Sequence, residues 1–435
     1  MKKFILMITL LWLPSVLFSW NEQAGFFYWR HQLIMLSGIL ALSCMTVGMI
    51  LAVRWRWVET LVHGLDKGYA LHKQMGIASL ILLIIHWGLA QLPKWLVQLG
   101  LLSRPLRMHR FSGSGQSWEG LARHVGEYLF YVFLIFAAIS LIQAITYRQF
   151  RGIHKIGGLI FIVSVFHSVL LMGDNWSSVP MNIAIILMSG IGVLCAFISL
   201  TGNIGRHQKT LGRVIGIQQF DYHDISSSLI YFSAQLKNKI KYKAGQFAYI
   251  DFQDGEPPHP FSILNYDKEK QTVEFAIKDL GDYTHQLMHQ LHENQEIIIE
   301  GGYGHFHIPK QTEQIWIGAG VGIVPFIAWL YWLSYNPQQQ IETIHLFYCR
   351  KSESETFFEK IIHPLLSRLS NVEFHIVTSG TQGRLSIQTI EKTIRLSTGS
   401  VSFCGPEGFG DQLREQLVAS GLPPSNFHRE YFRMR

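Results

Sequence analysis

The chain has 435 residues, 48% of them hydrophobic, and a net charge of +7, which predicts two or three domains. The charge is uneven: residues 1–209 hold 17 Lys+Arg and 6 Asp+Glu, whereas residues 210–435 hold 20 and 24. The basic residues of the first half sit between apolar runs, with no Lys/Arg-rich run interleaved with aromatics, which excludes a nucleic-acid groove and indicates membrane topology. The 4 cysteines form no CxxC, so neither a zinc site nor a disulfide framework is indicated.

In chain order, apolar runs near 4–20, 32–53, 74–92, 127–146, 156–172 and 181–201 predict six membrane helices. The first reads either as a retained helix or as a secretory signal, since Lys2-Lys3 precedes its apolar stretch; Trp20, Phe26 and Phe27 beside it form an interfacial belt that favours retention. Lys2, Lys3, Arg54, Arg56, Lys67, Lys73, Arg148, Arg151, Lys155, Arg206 and Lys209 fall on one side of a six-span arrangement, which makes that side cytoplasmic. Residues 93–124 read as a long outer loop that carries Lys94, Arg104, Arg107, Arg110 and Arg123 against this trend.

Two of the apolar stretches each carry a pair of histidines. His72 and His86 are 14 residues apart, and His154 and His167 are 13 apart. Ionisable residues inside a membrane helix are costly and usually functional, and imidazole is a common axial ligand of haem iron. Fourteen residues of helix climb about 21 Å and return to within roughly 40° of the starting face. Thirteen residues miss the starting face by roughly 140°, so the second pair needs a local irregularity, for which Gly157-Gly158 is the expected place. The four side chains are candidate ligands for two haems stacked across the bilayer.

After Gly202 the pattern changes to short alternating segments, which predict antiparallel strands. From about residue 313 the order strand, glycine-rich turn, helix, strand predicts a parallel α/β sheet. The expected fold is therefore multidomain: an α-helical transmembrane bundle of six helices over 1–205, an antiparallel β-barrel over 206–310, and an α/β nucleotide-binding domain over 311–435. In the barrel, HPFS offers a rigid Pro260, the apolar plate of Phe261 and the Ser262 hydroxyl as a candidate flavin edge. Lys278, Gly281 and Thr284 are candidates for a pyrophosphate by charge, close backbone and hydroxyl. In GAGVGIVPF, Gly318, Gly320 and Gly322 permit close backbone approach to a pyrophosphate before the helix begun by Pro325. Arg350, at the end of the next strand, and Arg384 suit a ribose 2′-phosphate, favouring NADPH over NADH.

These pieces, in this order, resemble the NADPH oxidase / ferric reductase superfamily over nearly the whole chain. The resemblance implies bis-histidine ligation of two haem b groups, with His72 and His154 on the inner side and His86 and His167 on the outer side. It implies FAD at His259, Pro260, Phe261 and Ser262, and nicotinamide at Gly318 to Phe326 and at Cys404, Gly405 and Pro406. It also implies a C-terminal aromatic, here Phe432, stacked on the flavin; Ser262, Cys404 and Phe432 are the expected catalytic residues. Val324 stands where threonine is frequent in the family, Gly302 where proline is common, three residues follow Phe432, and Ala90 replaces a further histidine found in animal oxidases. The implied activity is electron transfer from cytosolic NADPH through FAD and the haems to a ferric chelate or dioxygen outside a plasma membrane. Two other readings stand beside it: a haem-free transporter or channel with a redox-sensing flavin domain, and a reductase serving a periplasmic quinone or protein.

Overall fold

The computed structural model describes residues 2–20, 25–103, 118–142, 147–173, 176–336 and 341–430. It divides into two compact units, Met1–Val58 with Gly68–Ile204, and Glu59–Lys67 with Gly205–Arg435.

The first unit is helical. Its elements are α1 (Lys2–Ser19), α2 (Phe26–Ala52), α3 (Arg56–Val62, running into the second unit), α4 (Leu65–Gln98), α5 (Trp118–Leu141), α6 (Tyr147–His154), α7 (Gly157–Leu170) and α8 (Val179–Leu200). Among the described residues, five helices are long and apolar enough to cross a membrane, with α6 and α7 counted as one span; α1 is a shorter apolar helix. Helix α1 packs Ile8 into a core with Ile39, Leu42, Phe161, Met181 and Ile185. With lipid supplying no hydrophobic drive between helices, close packing depends on small residues. Gly158 accordingly sits against Leu200 and Ala196, and Gly192 against the Phe161 ring.

Helix α4 is longer than its apolar run, extending from Leu65 past Pro93 to Gln98. Pro93 cannot donate to the Leu89 carbonyl. Arg30 replaces that bond, its guanidinium donating to the Leu89 carbonyl at 2.7 Å and the Ala90 carbonyl at 2.8 Å. Lys94 therefore lies on a helix, not in a loop, because the proline's unsatisfied acceptor is filled from α2. Arg123 likewise lies on a helix, α5 (Trp118–Leu141), and Arg104, Arg107 and Arg110 lie outside the described residues.

The second unit holds a closed six-stranded barrel of β1 (Lys209–Tyr222), β2 (Ser227–Leu236), β3 (Phe247–Asp251), β4 (His259–Asp267), β5 (Thr272–Lys278) and β6 (Glu296–Tyr303), in the order β1-β2-β5-β4-β3-β6. All of its pairings are antiparallel. Alternate residues, among them Val214, Ile230, Phe232, Ile250, Phe275 and Ile299, fill its interior. Helix α9 (Asp282–Gln290) follows β5.

A five-stranded parallel sheet comes next, with strands β7 (Glu313–Ala319), β8 (Thr343–Arg350), β9 (Val372–Thr378), β10 (Ser400–Cys404) and β11 (Phe427–Arg429) in the order β11-β10-β7-β8-β9. Helices α10 (Val324–Tyr335), α11 (Phe357–Leu366), α12 (Ser379–Gln382), α13 (Ile387–Glu391) and α14 (Glu407–Ala419) connect the strands. Strand β7 is covered on both faces, Trp316 packing with Phe326 and Trp329 of α10 while Ile315 and Ile317 pack with Leu413 and Leu417 of α14. Its continuous apolar run is what a doubly covered parallel strand requires. Strand order reverses between β7 and β10, and the crevice beyond the carboxyl ends of such strands is the usual ligand site.

Candidate functional site

The helical unit brings its four histidines together in two pairs. His72 Nε2 lies 3.4 Å from His154 Nε2, with ring centroids 5.7 Å apart. The His86 and His167 centroids are 6.3 Å apart. Every ring is fixed through its other nitrogen. His72 Nδ1 meets the Gly48 carbonyl at 2.9 Å, His86 Nδ1 the Ile34 carbonyl at 3.0 Å, His167 Nδ1 the Ala122 carbonyl at 2.8 Å, and His154 Nδ1 the Ser140 hydroxyl at 3.1 Å. A proton held at Nδ1 by a carbonyl sets the tautomer that leaves Nε2 as a donor to metal. Phe136 and Phe150 stack on His154 at 5.2 and 4.9 Å, which holds that ring's plane. The inner pair thus presents two Nε2 atoms to each other, the donor type that haem iron takes from histidine. Paired imidazoles with their Nδ1 atoms held are a donor set that suits haem iron.

The 13-residue step is accommodated at the expected place. Helix α6 ends at His154 and α7 begins at Gly157. Between them Ile156, Gly158 and Leu159 donate to carbonyls three residues back. Such bonds overwind the helix from about 100° to about 120° per residue, which reduces the angular deficit between His154 and His167.

In the barrel, the Ser262 hydroxyl is buried and has no hydrogen-bond partner among the described residues. It lies on β4 opposite Phe247 of β3, and the His259 ring stacks on Tyr283 at 3.9 Å. An orphaned buried hydroxyl costs free energy unless a ligand completes it, so Ser262 fits a flavin-edge contact. The expected pyrophosphate residues are differently engaged. Lys278 forms a buried ion pair with Glu355, which also accepts from the Lys351 and Ser352 backbone. Thr284 accepts from the Leu280 and Gly281 amides at 2.9 and 3.0 Å and caps α9. Neither side chain is idle, although both lie at the start of the α9 turn.

In the α/β sheet, the glycine turn and the Cys404-Gly405-Pro406 turn follow the adjacent strands β7 and β10, whose register pairs Cys404 with Gly318. Gly320 has φ +58°, and a Cβ on Gly322 would collide with the Cys404 carbonyl. Pro325 opens α10. The two turns therefore form one cradle at the reversal of strand order. Arg350 is not free to read a phosphate: it ion-pairs with Glu359 and donates to the Thr378 hydroxyl at 2.9 Å. Arg384 is exposed beyond α12. Phe432 lies outside the described residues.

Residues 37–165 match the family described as ferric reductase like transmembrane component, and residues 215–347 match the FAD-binding domain family. The chain has the NADPH oxidase/ferric reductase architecture. The anthranilate 1,2-dioxygenase electron transfer component of Acinetobacter baylyi is 20% identical over 46% of this chain and 61% of its own length. The phenol hydroxylase P5 protein of Acinetobacter pittii is 26% identical over 35% of this chain and 43% of its own. The chain thus spans about half the length of these curated relatives. Among solved structures, a ferredoxin reductase in carbazole 1,9a-dioxygenase aligns with TM-score 0.43 and 18% identity over 52% of this chain and 69% of that one.

Within this ferric reductase architecture, sequence reading missed two groups of residues. The first is the ring supports: Ser37, whose hydroxyl lies 3.2 Å from His86 Nδ1, with Ser140, Gly38, Gly48 and Gly126, whose only sequence signal is small residues inside apolar runs. A Cβ on Gly38 would stand 3.1 Å from His86 Cε1, one on Gly48 3.7 Å from His72 Nδ1, and one on Gly126 would overlap His167. The second is Glu430, buried with an unpartnered Oε2 and held well above the ordinary carboxyl range by burial and then by Asp66. Cys404 is likewise pushed well above the ordinary thiol range, by burial first and Glu430 second, so it stays a neutral thiol.

Proposed function

We propose that the protein is a transmembrane oxidoreductase that passes electrons from cytosolic NADPH, with NADH as an alternative donor, through FAD and two b-type haems to an acceptor across a plasma membrane. The acceptor is a ferric chelate or dioxygen, the latter giving superoxide. The observation that carries this reading is the pairing of His72 with His154 and of His86 with His167, each ring pinned at Nδ1. When bound, the nicotinamide supplies a hydride, the flavin splits two electrons into single ones, and haem iron accepts them one at a time.

The chain's residues do the positioning. His72 and His154 would hold the inner haem, and His86 and His167 the outer one, about 21 Å further along α4. Ser262 would bind the flavin edge with its spare hydroxyl. The glycines of the β7 turn and the Cys404 turn would admit the nicotinamide close to backbone, with the Cys404 thiol neutral and a proton retained on the Glu430 carboxyl beside it. The distribution of positive residues supports a cytoplasmic position for the barrel and sheet. With two imidazoles holding each haem, this reading would have the acceptor reduced without binding the iron.

The test is an anaerobic absorbance spectrum of detergent-purified, FAD-supplemented protein before and after NADPH. A haem b spectrum that becomes reduced is expected, and admitting oxygen or a ferric chelate then ranks the acceptors. Absence of any haem signal from protein made under haem-replete conditions would overturn the reading in favour of a haem-free transporter.

A further inference from the structure

Three ligating side chains meet on the sheet at a place that the nucleotide and haem sites do not use. His345 on β8 is directly paired in register with Glu373 on β9, and Phe347 with His375. Residues 345, 373 and 375 therefore share one face of two adjacent strands, since alternate strand residues point the same way. Their ligand atoms converge. His345 Nδ1 lies 3.2 Å from His375 Nε2 and 3.3 Å from Glu373 Oε2, and the last two atoms are 3.9 Å apart. The rings are held in place: His375 stacks on Phe347 at 4.6 Å and on His345 at 5.4 Å, with interplanar angles of 20° and 22°.

A single proton on His345 Nδ1 can serve only one of its two neighbours. His345 Nδ1 faces two groups at once but carries at most one proton. If it donates to Glu373, it makes no bond to His375; if it accepts from a protonated His375 Nε2, the exposed Glu373 takes its donor from solvent. A cation at the centre satisfies all three atoms together. The spacing also selects the ion. A tetrahedral zinc ion with bonds of about 2.0–2.1 Å sets neighbouring ligand atoms about 3.3–3.4 Å apart, which two of the three separations approach. Two imidazoles and a carboxylate suit zinc and similar divalent first-row ions rather than calcium or magnesium, which prefer all-oxygen shells. His345 is buried, while His375 is part-exposed and Glu373 exposed, so the site opens to solvent and leaves room for a fourth ligand such as water.

We propose that His345, Glu373 and His375 form a binding site for a divalent transition-metal ion, with zinc the best fit, that ties the edge strand β9 to β8. The site is separate from the cofactor path. The nucleotide end of these strands lies at Arg350 and Thr378, five residues further along β8, or about 16 Å at strand rise. Its role is to lock an edge strand.

The experiment uses full-length, FAD- and haem-loaded protein without a polyhistidine tag, stripped with a chelator and titrated with zinc. Metal content after dialysis, isothermal titration and zinc X-ray absorption are measured on wild type, Glu373→Gln and His375→Ala. One zinc per chain, two imidazoles in the absorption spectrum, and an affinity reduced by more than about 100-fold in each variant are the expected results, since a lost ligand costs more than the 10–100-fold typical of a lost outer-shell partner. Flavin reduction by NADPH is expected to keep its wild-type rate in both variants. Glu373 is exposed, so Glu373→Gln remains informative even if His375→Ala folds poorly. Failure of the wild type to take up zinc, or equal zinc affinity in wild type and Glu373→Gln, would overturn the proposal.

Discussion

On the proposed bis-histidine reading, replacing Gly126 by alanine should dislodge one haem and spare the other. Gly126 lies on α5 where His167 comes to rest, and a Cβ there would overlap the ring atoms Cε1 and Nδ1. The ring's other constraint is its bond to the Ala122 carbonyl, one turn earlier on the same helix. His167 therefore cannot retreat without losing that bond or moving α7. In an exposed helix the same substitution would be favourable by up to about 1 kcal/mol, so a loss must come from the clash. Overpacking of this kind costs about 1–3 kcal/mol, which corresponds to roughly 5–150-fold weaker retention of the haem held by His86 and His167. Gly48→Ala is the matched control, because its Cβ would stand 3.7 Å from His72 Nδ1, an ordinary contact. Haem per protein, measured by the pyridine haemochromogen method, should fall from two towards one in Gly126→Ala and stay at two in Gly48→Ala. Equal haem content in both variants would refute the reasoning that His167 is a ligand seated on Gly126.

Ser262→Ala should leave the flavin-free protein as stable as wild type or slightly more so, since it removes an unsatisfied buried hydroxyl, while weakening FAD binding by about 0.5–1.5 kcal/mol, or roughly 2–12-fold; flavin titration and thermal melts separate the two effects. Glu359→Gln releases Arg350 from its ion pair and should lower KM for NADPH relative to that for NADH; an unchanged ratio would remove Arg350 from the phosphate site. Glu430→Gln should alter the pH dependence of stability. Because the folded carboxyl titrates above its unfolded value, its contribution is complete below the ordinary carboxyl pKa and is lost as pH rises through the higher folded one. The variant should therefore gain in melting temperature over wild type as pH is raised from 5 to 8, and a constant difference across that range would contradict the burial argument.

The apolar runs reveal the helices because a bilayer demands them, yet the ends of α4 are hidden. Asp66, Lys67 and Lys73 interrupt the apolar pattern before it starts, and Pro93 reads as a stop. Only Arg30, about sixty residues earlier, shows why the helix continues. The break before Gly157 is legible because the 13-residue interval fails on a regular helix. Arg350 shows the converse case. Its place at a strand end is evident from sequence, but its occupation by Glu359 depends on how α11 returns to the sheet. Glu430 is hidden for the same reason, since only tertiary packing turns a terminal-segment carboxylate into a buried one. His345 and the Glu373-x-His375 pair are 28 residues apart and meet only through the β8–β9 register.

The anchoring of the four rings divides labour between helices. His72 and His86 stand on α4, but the groups that hold their Nδ1 atoms belong to α2; His154 and His167 stand on α6 and α7, but their holders belong to α5. Hydrogen bonds to a ligand's far nitrogen set its basicity, and so the potential of whatever it binds. The segments that carry the four histidines and the segments that hold their Nδ1 atoms are thus separate stretches of the chain. Substitutions on α2 or α5 would therefore change what the four rings can hold, and at what potential, without touching a histidine.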